Sequence, residues 1–410
     1  MILLSHPTGN QFVRHLVQEL LAHQLLFRFQ TTLGFANNPA LFRYLPKRLA
    51  RELQRRAYSI PFSLLSTRPW YEGARLLAAR LNLSGLIQHE KGWFCVDAVY
   101  KDLDLFVAQH LDNWRDQVHA LYGYEDGALE SFRRAQALGI RCVYDLPIAY
   151  WKLGRQIQSE EAKLQPEWAS TMPGIRDSMA KLSRKDEEIA LADTIVVAST
   201  FTRNSLKLSP TSCSEVIVSP YGAPPVTRPR TAFNLDRQQP LKVLYVGSLS
   251  QRKGLSYVLQ AIAQCGPSVR LTLIGQRVAP CIPLDQALQE HRWLPSVPHA
   301  QVLEEMRVHD VLLFPSLFEG FGLVILEAMA QGLPVITTAN TGAPDVLTHG
   351  QEGFILPIRA VEKIAHALET LERDRSLLAK LGKAAQIKAK QLSWQEYAKN
   401  ICLHLEQNTH

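Results

Sequence analysis

The stretch DVLLFPSLFEGFGLVILEAMAQGLPVI, residues 310–336, contains the elements that decide the fold class. Its apolar start predicts a buried strand that ends at Phe314 or the next residue. The loop SLFEGFG follows, and the run LVILEAMA predicts a helix over about 323–331 that Gly332 ends. The apolar run LPVI then predicts another buried strand. A strand, a helix and a strand in this order are typical of a parallel sheet.

The same alternation of short apolar runs and segments of helical period extends along the chain in both directions. In the first half we predict strands at MILLSHP (1–7), LDLFVAQH (103–110), IRCVYDLP (140–147), DTIVVAST (193–200) and EVIVSPYG (215–222). In the second half we predict them at LKVLYVGSLS (241–250), VRLTLIGQ (269–276), DVLLFPS (310–316) and LPVITTA (333–339). Near-continuous apolar strands separated by helices indicate parallel sheets that are covered on both faces.

The stretch PYGAPPVTRPRTAFNLDRQQP interrupts this alternation and is rich in Pro, Arg and Gln, which is typical of a linker. We therefore predict a first domain at 1–222, a linker at 223–240, a second domain at 241–390 and a final helix within 391–410. A chain of 410 residues is long enough for two or three domains. The pattern of the final helix does not decide its partner, and a return to the first domain is one placement.

The predicted fold is therefore α/β, with two doubly wound, Rossmann-like domains that face each other across a cleft. In open parallel sheets, ligands bind outside the carboxyl ends of the strands. We expect the functional residues of this chain on the loops that follow strands.

Composition and charge restrict the function classes. No apolar run reaches the ~18 residues of a membrane span, and the N-terminal MILLSHPTGN lacks the features of a signal peptide. The six cysteines form no CxxC pair or Cys/His cluster, as expected for a reducing compartment. These features predict a cytoplasmic protein. No nucleic-acid-binding signature accompanies the net charge of +7, so we expect no nucleic-acid partner.

The positive charge is concentrated in the segment 43–56. Leucines and tyrosine separate its cations, which outnumber the single carboxylate Glu52 and are Arg43, Lys47, Arg48, Arg51, Arg55 and Arg56. Such a segment is typical of peripheral contact with a membrane surface or of attraction for an anionic acceptor. A solvated helix face is the alternative.

Two loops after strands carry residues suited to binding phosphates and sugars. In VLYVGSLSQRKGL, Gly247 allows a close turn, and Arg252 and Lys253 lie just before a predicted helix, whose N-terminus favours anions. This loop lacks the spacing of a Walker motif.

In SLFEGFG, Gly320 and Gly322 let the backbone approach a ligand closely. Glu319 lies on this loop and Glu327 lies about one turn inside the helix, where each carboxylate can accept hydrogen bonds from sugar hydroxyls. The alternative is that Glu319 caps the helix and Glu327 is a surface residue.

Residues 242–357 resemble the donor domain of retaining glycosyltransferases of family 4, which have the GT-B architecture. The pieces that carry the resemblance are GSLSQRKGL, LIG, VLLFPSLFEGFGLVILEAMAQGLPVI, TGAPDVL and GQEGFILP. The match is weaker over ADTIVVASTFTRNSL and PYGAP, and the first 190 residues match only in outline.

The resemblance implies a role for each matching residue. Arg252 and Lys253 bind the donor diphosphate, Glu319 holds the donor sugar, and Glu327 binds the ribose hydroxyls. The backbone of Gly320, Phe321, Gly322 and Leu323 lies beside the sugar and the phosphate. The resemblance also implies that the anomeric configuration is kept, and that neither a metal ion nor another cofactor takes part.

Two features of the first half depart from the family pattern. The turn after the first strand, HPTGNQ, has Gly9 as its single glycine where a glycine-rich turn is expected beside the diphosphate. The strand that often ends in histidine near the anomeric centre ends here in Tyr144 and Asp145. Asp145 is either a polar residue of the catalytic centre or the start of a turn before Pro147.

The function expected from this resemblance is transfer of a sugar from a nucleotide-sugar donor to a hydroxyl of a sugar, glycan or lipid-linked acceptor. Cell-envelope polysaccharide or glycolipid synthesis is the usual setting of the family. Two alternatives are a nucleotide-sugar epimerase of the same fold and a nucleotide-sugar-binding protein without catalysis.

Overall fold

A computed structural model of the chain describes residues 1–37, 56–211, 215–231 and 233–407. The basic segment predicted at 43–56 lies outside these ranges, apart from Arg56. None of the helices in the described ranges has the length and apolar character needed to cross a bilayer.

In its described residues, the first domain contains a seven-stranded parallel sheet with helices on both faces. The strands of this sheet are β1 (Ile2–Ser5), β2 (Leu26–Thr31), β5 (Leu65–Thr67), β6 (Ala120–Tyr124), β7 (Arg141–Leu146), β8 (Thr194–Val197) and β9 (Val216–Val218). Two short strands, β3 (Phe35–Ala36) and β4 (Ala57–Tyr58), form a separate pair. The helices of this domain are α1 (Gln11–Ala22), α2 (Trp70–Arg80), α3 (Val96–His110), α4 (Leu129–Ala137), α5 (Trp151–Leu164), α6 (Met179–Leu191) and α7 (Thr200–Ser205). The strand order is β5-β2-β1-β6-β7-β8-β9.

The second domain is a six-stranded parallel sheet in the order β12-β11-β10-β13-β14-β15. Its strands are β10 (Leu241–Val246), β11 (Val269–Ile274), β12 (Arg292–Leu294), β13 (Val311–Phe314), β14 (Val335–Thr338) and β15 (Gly353–Leu356). Its helices are α8 (Leu255–Cys265), α9 (Ile282–Glu290), α10 (His299–Val308), α11 (Leu323–Ala330), α12 (Ala343–Val346), α13 (Val361–Arg373) and α14 (Arg375–Ala389), and α15 (Trp394–Gln407) follows. This strand order is that of the classical dinucleotide-binding sheet.

Apart from the run at 103–110, the predicted apolar strands form, and alternate side chains of each strand are buried in the cores on opposite faces of its sheet. Leu4 belongs to one core and Leu3 to the other, and Leu244 and Tyr245 divide in the same way. This two-sided burial explains why the strands are almost continuously apolar in sequence.

The prediction of a strand at 103–110 is wrong, because this run is the last half of helix α3. Its buried residues Val99, Leu103 and Val107 recur every four positions, which is the helical period. Asp104, buried within the run, accepts hydrogen bonds from the N–H groups of Glu130 and Ser131 at the start of α4. A short apolar run does not by itself distinguish a buried strand from a buried helix.

The final helix, α15, returns to the first domain and packs against α1. The Trp394 ring stacks on His15 with 4.8 Å between ring centroids, and Glu406 Oε1 lies 3.0 Å from His23 Nδ1. The two domains also share one continuous apolar core. Tyr221 of the first half and Phe321 of the second meet in it, with ring centroids 5.3 Å apart.

Candidate functional site

The candidate site lies at the point where the strand order of the second sheet reverses. Strand β10 pairs with β11 on one side and with β13 on the other. The loops that leave the carboxyl ends of β10 and β13 therefore diverge and leave a crevice between them. These are the two loops that carry Arg252, Lys253 and Glu319.

The structure brings these three predicted residues into contact. Arg252 Nη1 donates a hydrogen bond of 2.9 Å to Glu319 Oε1, and Lys253 Nζ forms an ion pair with the same oxygen. Ser316 Oγ also donates to Glu319 Oε1, at 2.8 Å. Glu319 is therefore not the cap of the following helix, and its carboxylate joins the two loops.

Each of the two cations also contacts the face of an aromatic ring. Lys253 Nζ lies 4.9 Å from the centroid of Phe314, and the Arg252 guanidinium lies 5.5 Å from that of Phe318. Such contacts favour a cation over the ring face. They orient both positive groups toward Glu319.

The charges in this cluster shift one another's pKa values. Burial alone would raise the pKa of Glu319, but the charges of Lys253 and Arg252 and the hydrogen bonds from Lys253 and Ser316 outweigh it and lower the pKa. Burial lowers the pKa of Lys253, with a partial opposing effect from Glu319. Glu319 is thus ionised, and its carboxylate compensates two cations. An anion that enters the site competes with this carboxylate for them.

The glycines of the second loop allow a close backbone approach. A Cβ atom at Gly320 would lie 1.8 Å from the carbonyl oxygen of Pro147, so only glycine fits against the first domain there. Gly322 precedes helix α11 with φ of +90°, a conformation that favours glycine. Within the described ranges, the N–H groups of Phe321, Gly322 and Leu323 have no acceptor in the chain. They are donors available to an anion.

The remaining predicted donor-site residues of the second domain lie around this crevice. Gly247 follows β10, and its N–H donates to the carbonyl oxygen of Ile274 at 2.9 Å. Glu327 lies on α11, and its Oε1 atom is 2.8 Å from His299 Nε2. His299 is the first residue of α10.

The Phe321 side chain packs in the core between the domains and is 2% exposed. A contact of Phe321 with the donor would therefore come from its backbone.

Gly9 and Asp145, the two predicted residues of the first domain, have partners within that domain. The Gly9 N–H donates to His6 Nδ1 at 2.9 Å, and a Cβ atom at Gly9 would overlap Tyr58. Asp145 is 3% exposed and accepts a 2.7 Å hydrogen bond from the Tyr122 hydroxyl. Their roles toward a donor or an acceptor stay predictions.

The sequence analysis did not identify Glu161, a first-domain residue that supports the cation loop. Glu161 lies on α5 and is fully buried. It accepts hydrogen bonds from Gln251 Nε2, the Tyr257 hydroxyl and Arg359 Nε, each at 2.7 Å. Gln251 immediately precedes Arg252, so the first domain fixes the loop that carries the cations. Arg359 has a φ of +63°, which is rare for a residue with a side chain.

Three further hydrogen bonds cross between the domains, two of them at the glutamate loop. The carbonyl oxygen of Gly320 accepts hydrogen bonds from Ser199 Oγ and Thr202 Oγ1. The backbone N–H of Thr200 donates to Asp345 at 2.9 Å. The sequence did not indicate that Ser199 and Thr202 contact the second domain, because serine and threonine at the start of a helix usually serve as its cap.

Residues 228–388 match the family model described as "Glycosyl transferases group 1". This part of the chain belongs to the glycosyl transferases group 1 family. The glycogen synthase of Mycobacterium tuberculosis is 29% identical over 180 residues, which are 42% of this chain and 42% of that protein. The chain therefore matches about two fifths of the length of this curated relative.

Solved structures match over the whole chain. Sucrose-phosphate synthase from Thermosynechococcus elongatus has a TM-score of 0.67 at 18% identity, covering 99% of this chain and 98% of that one. Anabaena HepE, solved in complex with UDP, has a TM-score of 0.64 at 19% identity, covering 99% of both chains. At these identities the likeness shows the fold. The group 1 domain and the first domain together form the predicted GT-B architecture.

The buried Asp145 generates a prediction about stability and pH. Burial raises its pKa from 3.8 to about 7, against a smaller opposing effect of the Tyr122 hydrogen bond. A carboxyl whose pKa is raised on folding stabilises the fold below pH 4, and this contribution is lost as the pH rises to about 7. Asp145→Asn cannot ionise and so does not lose this stability. The free energy of unfolding of the variant, relative to that of the wild type, should therefore rise by about 4 kcal/mol between pH 4 and pH 8.

Urea unfolding at both pH values measures this difference. An equal effect of Asp145→Asn at pH 4 and pH 8 would contradict a raised pKa at this residue.

The support of the group 1 domain by Glu161 generates a second prediction. Glu161→Gln leaves the Arg359 guanidinium without its buried partner and should lower the free energy of unfolding by about 1–3 kcal/mol. Glu160→Gln is the matched control, because Glu160 also pairs with Arg359, at 3.0 Å, but is 58% exposed. It should cost less than about 1 kcal/mol. Equal losses for the two variants would refute the role given to burial.

Proposed function

We propose that this chain is a retaining, metal-independent glycosyltransferase that moves a sugar from a nucleotide-diphosphate sugar to a hydroxyl of an acceptor. The observation that carries the proposal is the convergence of Arg252, Lys253 and Glu319 at the switch point of a group 1 domain, beside free N–H groups of the glycine loop. Retention and metal independence are supported by the family 4 resemblance of residues 242–357.

The arrangement suits departure of a nucleoside diphosphate. When the bond between sugar and phosphate breaks, negative charge accumulates on the diphosphate. Arg252 and Lys253 are fixed in place before the reaction, so they stabilise this charge without reorganising. Arg252 offers a planar fork that matches phosphate oxygens, and Lys253 supplies a compact charge. Two such cations provide the positive charge that the leaving group needs, and the proposed reaction has no step through a metal.

Glu319 changes partners in this proposal. Without a donor, it compensates both cations. A bound diphosphate takes over the cations, and the carboxylate becomes free to accept hydrogen bonds from the hydroxyls of the donor sugar. Glu319 thereby links occupation of the phosphate site to orientation of the sugar. Glu327 accepts from the ribose hydroxyls in the same pose, in place of its contact with His299.

We propose a sugar, glycan or lipid-linked acceptor that approaches from the first domain, in the synthesis of a polysaccharide or glycolipid. The cytoplasm is the proposed compartment. The match with HepE, which was solved with UDP, makes uridine diphosphate the first nucleotide to test. Adenosine and guanosine diphosphates are the next to test, because the two cations contact the diphosphate and do not determine which nucleobase binds.

A ligand-binding experiment tests the phosphate site. A nucleoside diphosphate at a hundred times its Kd should add about 2.7 kcal/mol to the stability of the wild type. Arg252→Ala removes a charge-assisted contact worth about 1.5–3 kcal/mol, so its Kd should rise roughly ten- to hundredfold. Thermal shift and calorimetric titration measure both. Arg373→Ala, at an exposed arginine of α13 (70% exposed), is the control and should bind like the wild type.

Glu319→Gln separates binding from transfer. Glutamine keeps the size of the side chain but no longer compensates the cations, so nucleoside diphosphate should bind at least as tightly as in the wild type. Release of the nucleotide from a nucleotide-sugar should fall about a hundredfold or more. Wild-type turnover in Glu319→Gln, together with wild-type binding in Arg252→Ala, would overturn the site.

A further inference from the structure

Helix α2 of the first domain presents an apolar face to solvent. Trp70 and Leu77 on the helix and Leu81 at its end are 72%, 59% and 58% exposed. Their spacing of seven and then four residues places them on one side of a helix with 3.6 residues per turn. The buried side of α2 carries Glu72 and Ala78. This is the reverse of an ordinary surface helix, whose apolar stripe faces the core.

The apolar surface continues into the segment that connects α2 to α3. Trp93 is 78% exposed and lines a groove of about 380 Å³ with Tyr71, Phe94 and Leu105. The Tyr71 and Phe94 rings meet edge to face, with 5.7 Å between centroids. The stripe of α2 and this groove are adjacent because Tyr71 follows Trp70. We call the two together the α2 surface.

Unpaired positive charge borders the α2 surface. Arg80, Lys91 and Lys101 are exposed, and within the described residues none of them forms a salt bridge. Lys101 lines the groove itself.

The carboxylates around the α2 surface are instead engaged with other groups. Glu72 pairs with Arg75 at 2.6 Å, and Asp102 pairs with Arg68 at 3.1 Å. Asp97 pairs with Lys181 at 2.8 Å, and Glu90 accepts from the Ser178 N–H at 2.9 Å. Three of them, Glu90, Asp97 and Asp102, line the groove, but the side chains of all four carboxylates are at most 20% exposed, whereas the three cations are exposed. The solvent-exposed charge beside the apolar side chains is therefore mainly positive.

We propose that the α2 surface docks the protein on an anionic lipid bilayer. Exposed tryptophan and leucine side chains beside free Arg and Lys are the composition of a surface that lies in the interfacial layer of a membrane. Tryptophan prefers that layer because its ring is apolar and its N–H is polar. The cations would contact lipid phosphates while Trp70, Leu77 and Trp93 enter the acyl boundary.

A second copy of the chain fits the α2 surface less well. In a symmetric dimer the α2 surface of one copy would pack on that of the other, which brings Arg80, Lys91 and Lys101 of both copies into one interface. Like charges brought together at an interface oppose association. An anionic bilayer neutralises the same cations.

The proposal is independent of catalysis, because vesicle binding requires neither donor nor transfer. The full chain is mixed with sedimenting vesicles of phosphatidylcholine and phosphatidylglycerol, and with vesicles of phosphatidylcholine alone. Each cation near an anionic surface contributes about a fivefold gain in partition. The three cations should therefore favour the anionic vesicles by well over tenfold, and added salt should reduce the difference.

Variants locate the contact. The double variant Leu77→Ser with Trp93→Ser should lower partition into anionic vesicles at least tenfold while circular dichroism and Tm stay at wild-type values, since both side chains are exposed. Ile387→Ser is the matched control, because Ile387 is 61% exposed on helix α14 of the second domain. It should bind vesicles like the wild type. Arg80→Gln should lower partition about fivefold into anionic vesicles only.

Three results would overturn the proposal. The first is equal partition of the wild type and the double variant. The second is equal partition into the two kinds of vesicle. The third is a concentration-dependent dimer in sedimentation velocity that the double variant abolishes, which would assign the α2 surface to a second copy of the chain.

Discussion

The buried contact between Glu319 and the two cations, Arg252 and Lys253, is the interaction on which the site depends. It joins side chains of the loops after β10 and β13, whose backbones are also linked by the hydrogen bond from the Leu317 N–H to the Arg252 carbonyl oxygen. Two positive groups held in a partly buried crevice would repel each other without a counter-charge. The carboxylate supplies it in the molecule without ligand, and a diphosphate can supply it in its place. A stable apo structure and a strong anion site therefore come from the same three residues.

The first domain contributes to this site by constraining it. Glu161 holds Gln251 next to the cations, and Ser199 and Thr202 hold the carbonyl oxygen of Gly320 next to the glutamate. Both loops of the crevice are thus fixed from the opposite domain. A preorganised site of this kind needs the two domains in contact, which explains why the first half of the chain supplies buried polar residues to the boundary. Arg359, whose backbone is left-handed, also reaches across to Glu161 with its side chain.

Much of this arrangement could be predicted from the sequence, because its signals are local. The strand, loop and helix around Glu319 follow from an apolar run, two glycines and a second apolar run. The segment 103–110 was assigned wrongly, since eight mostly apolar residues fit a buried strand and a buried helix equally well. Strand β2, LFRFQT, was missed because Arg28 and Gln30 interrupt its apolar pattern. The role of Glu161 could not be inferred at all, since its three partners are 90 to 198 residues away along the chain.

A crystal structure with a bound nucleoside diphosphate tests the central claim most directly. The account predicts phosphate oxygens within hydrogen-bond distance of Arg252 and Lys253 and of the N–H groups at Gly322 and Leu323. It also predicts that Glu319 has left Lys253 and turned toward the position of the donor sugar. A nucleotide bound elsewhere, with Glu319 still in contact with both cations, would contradict the account.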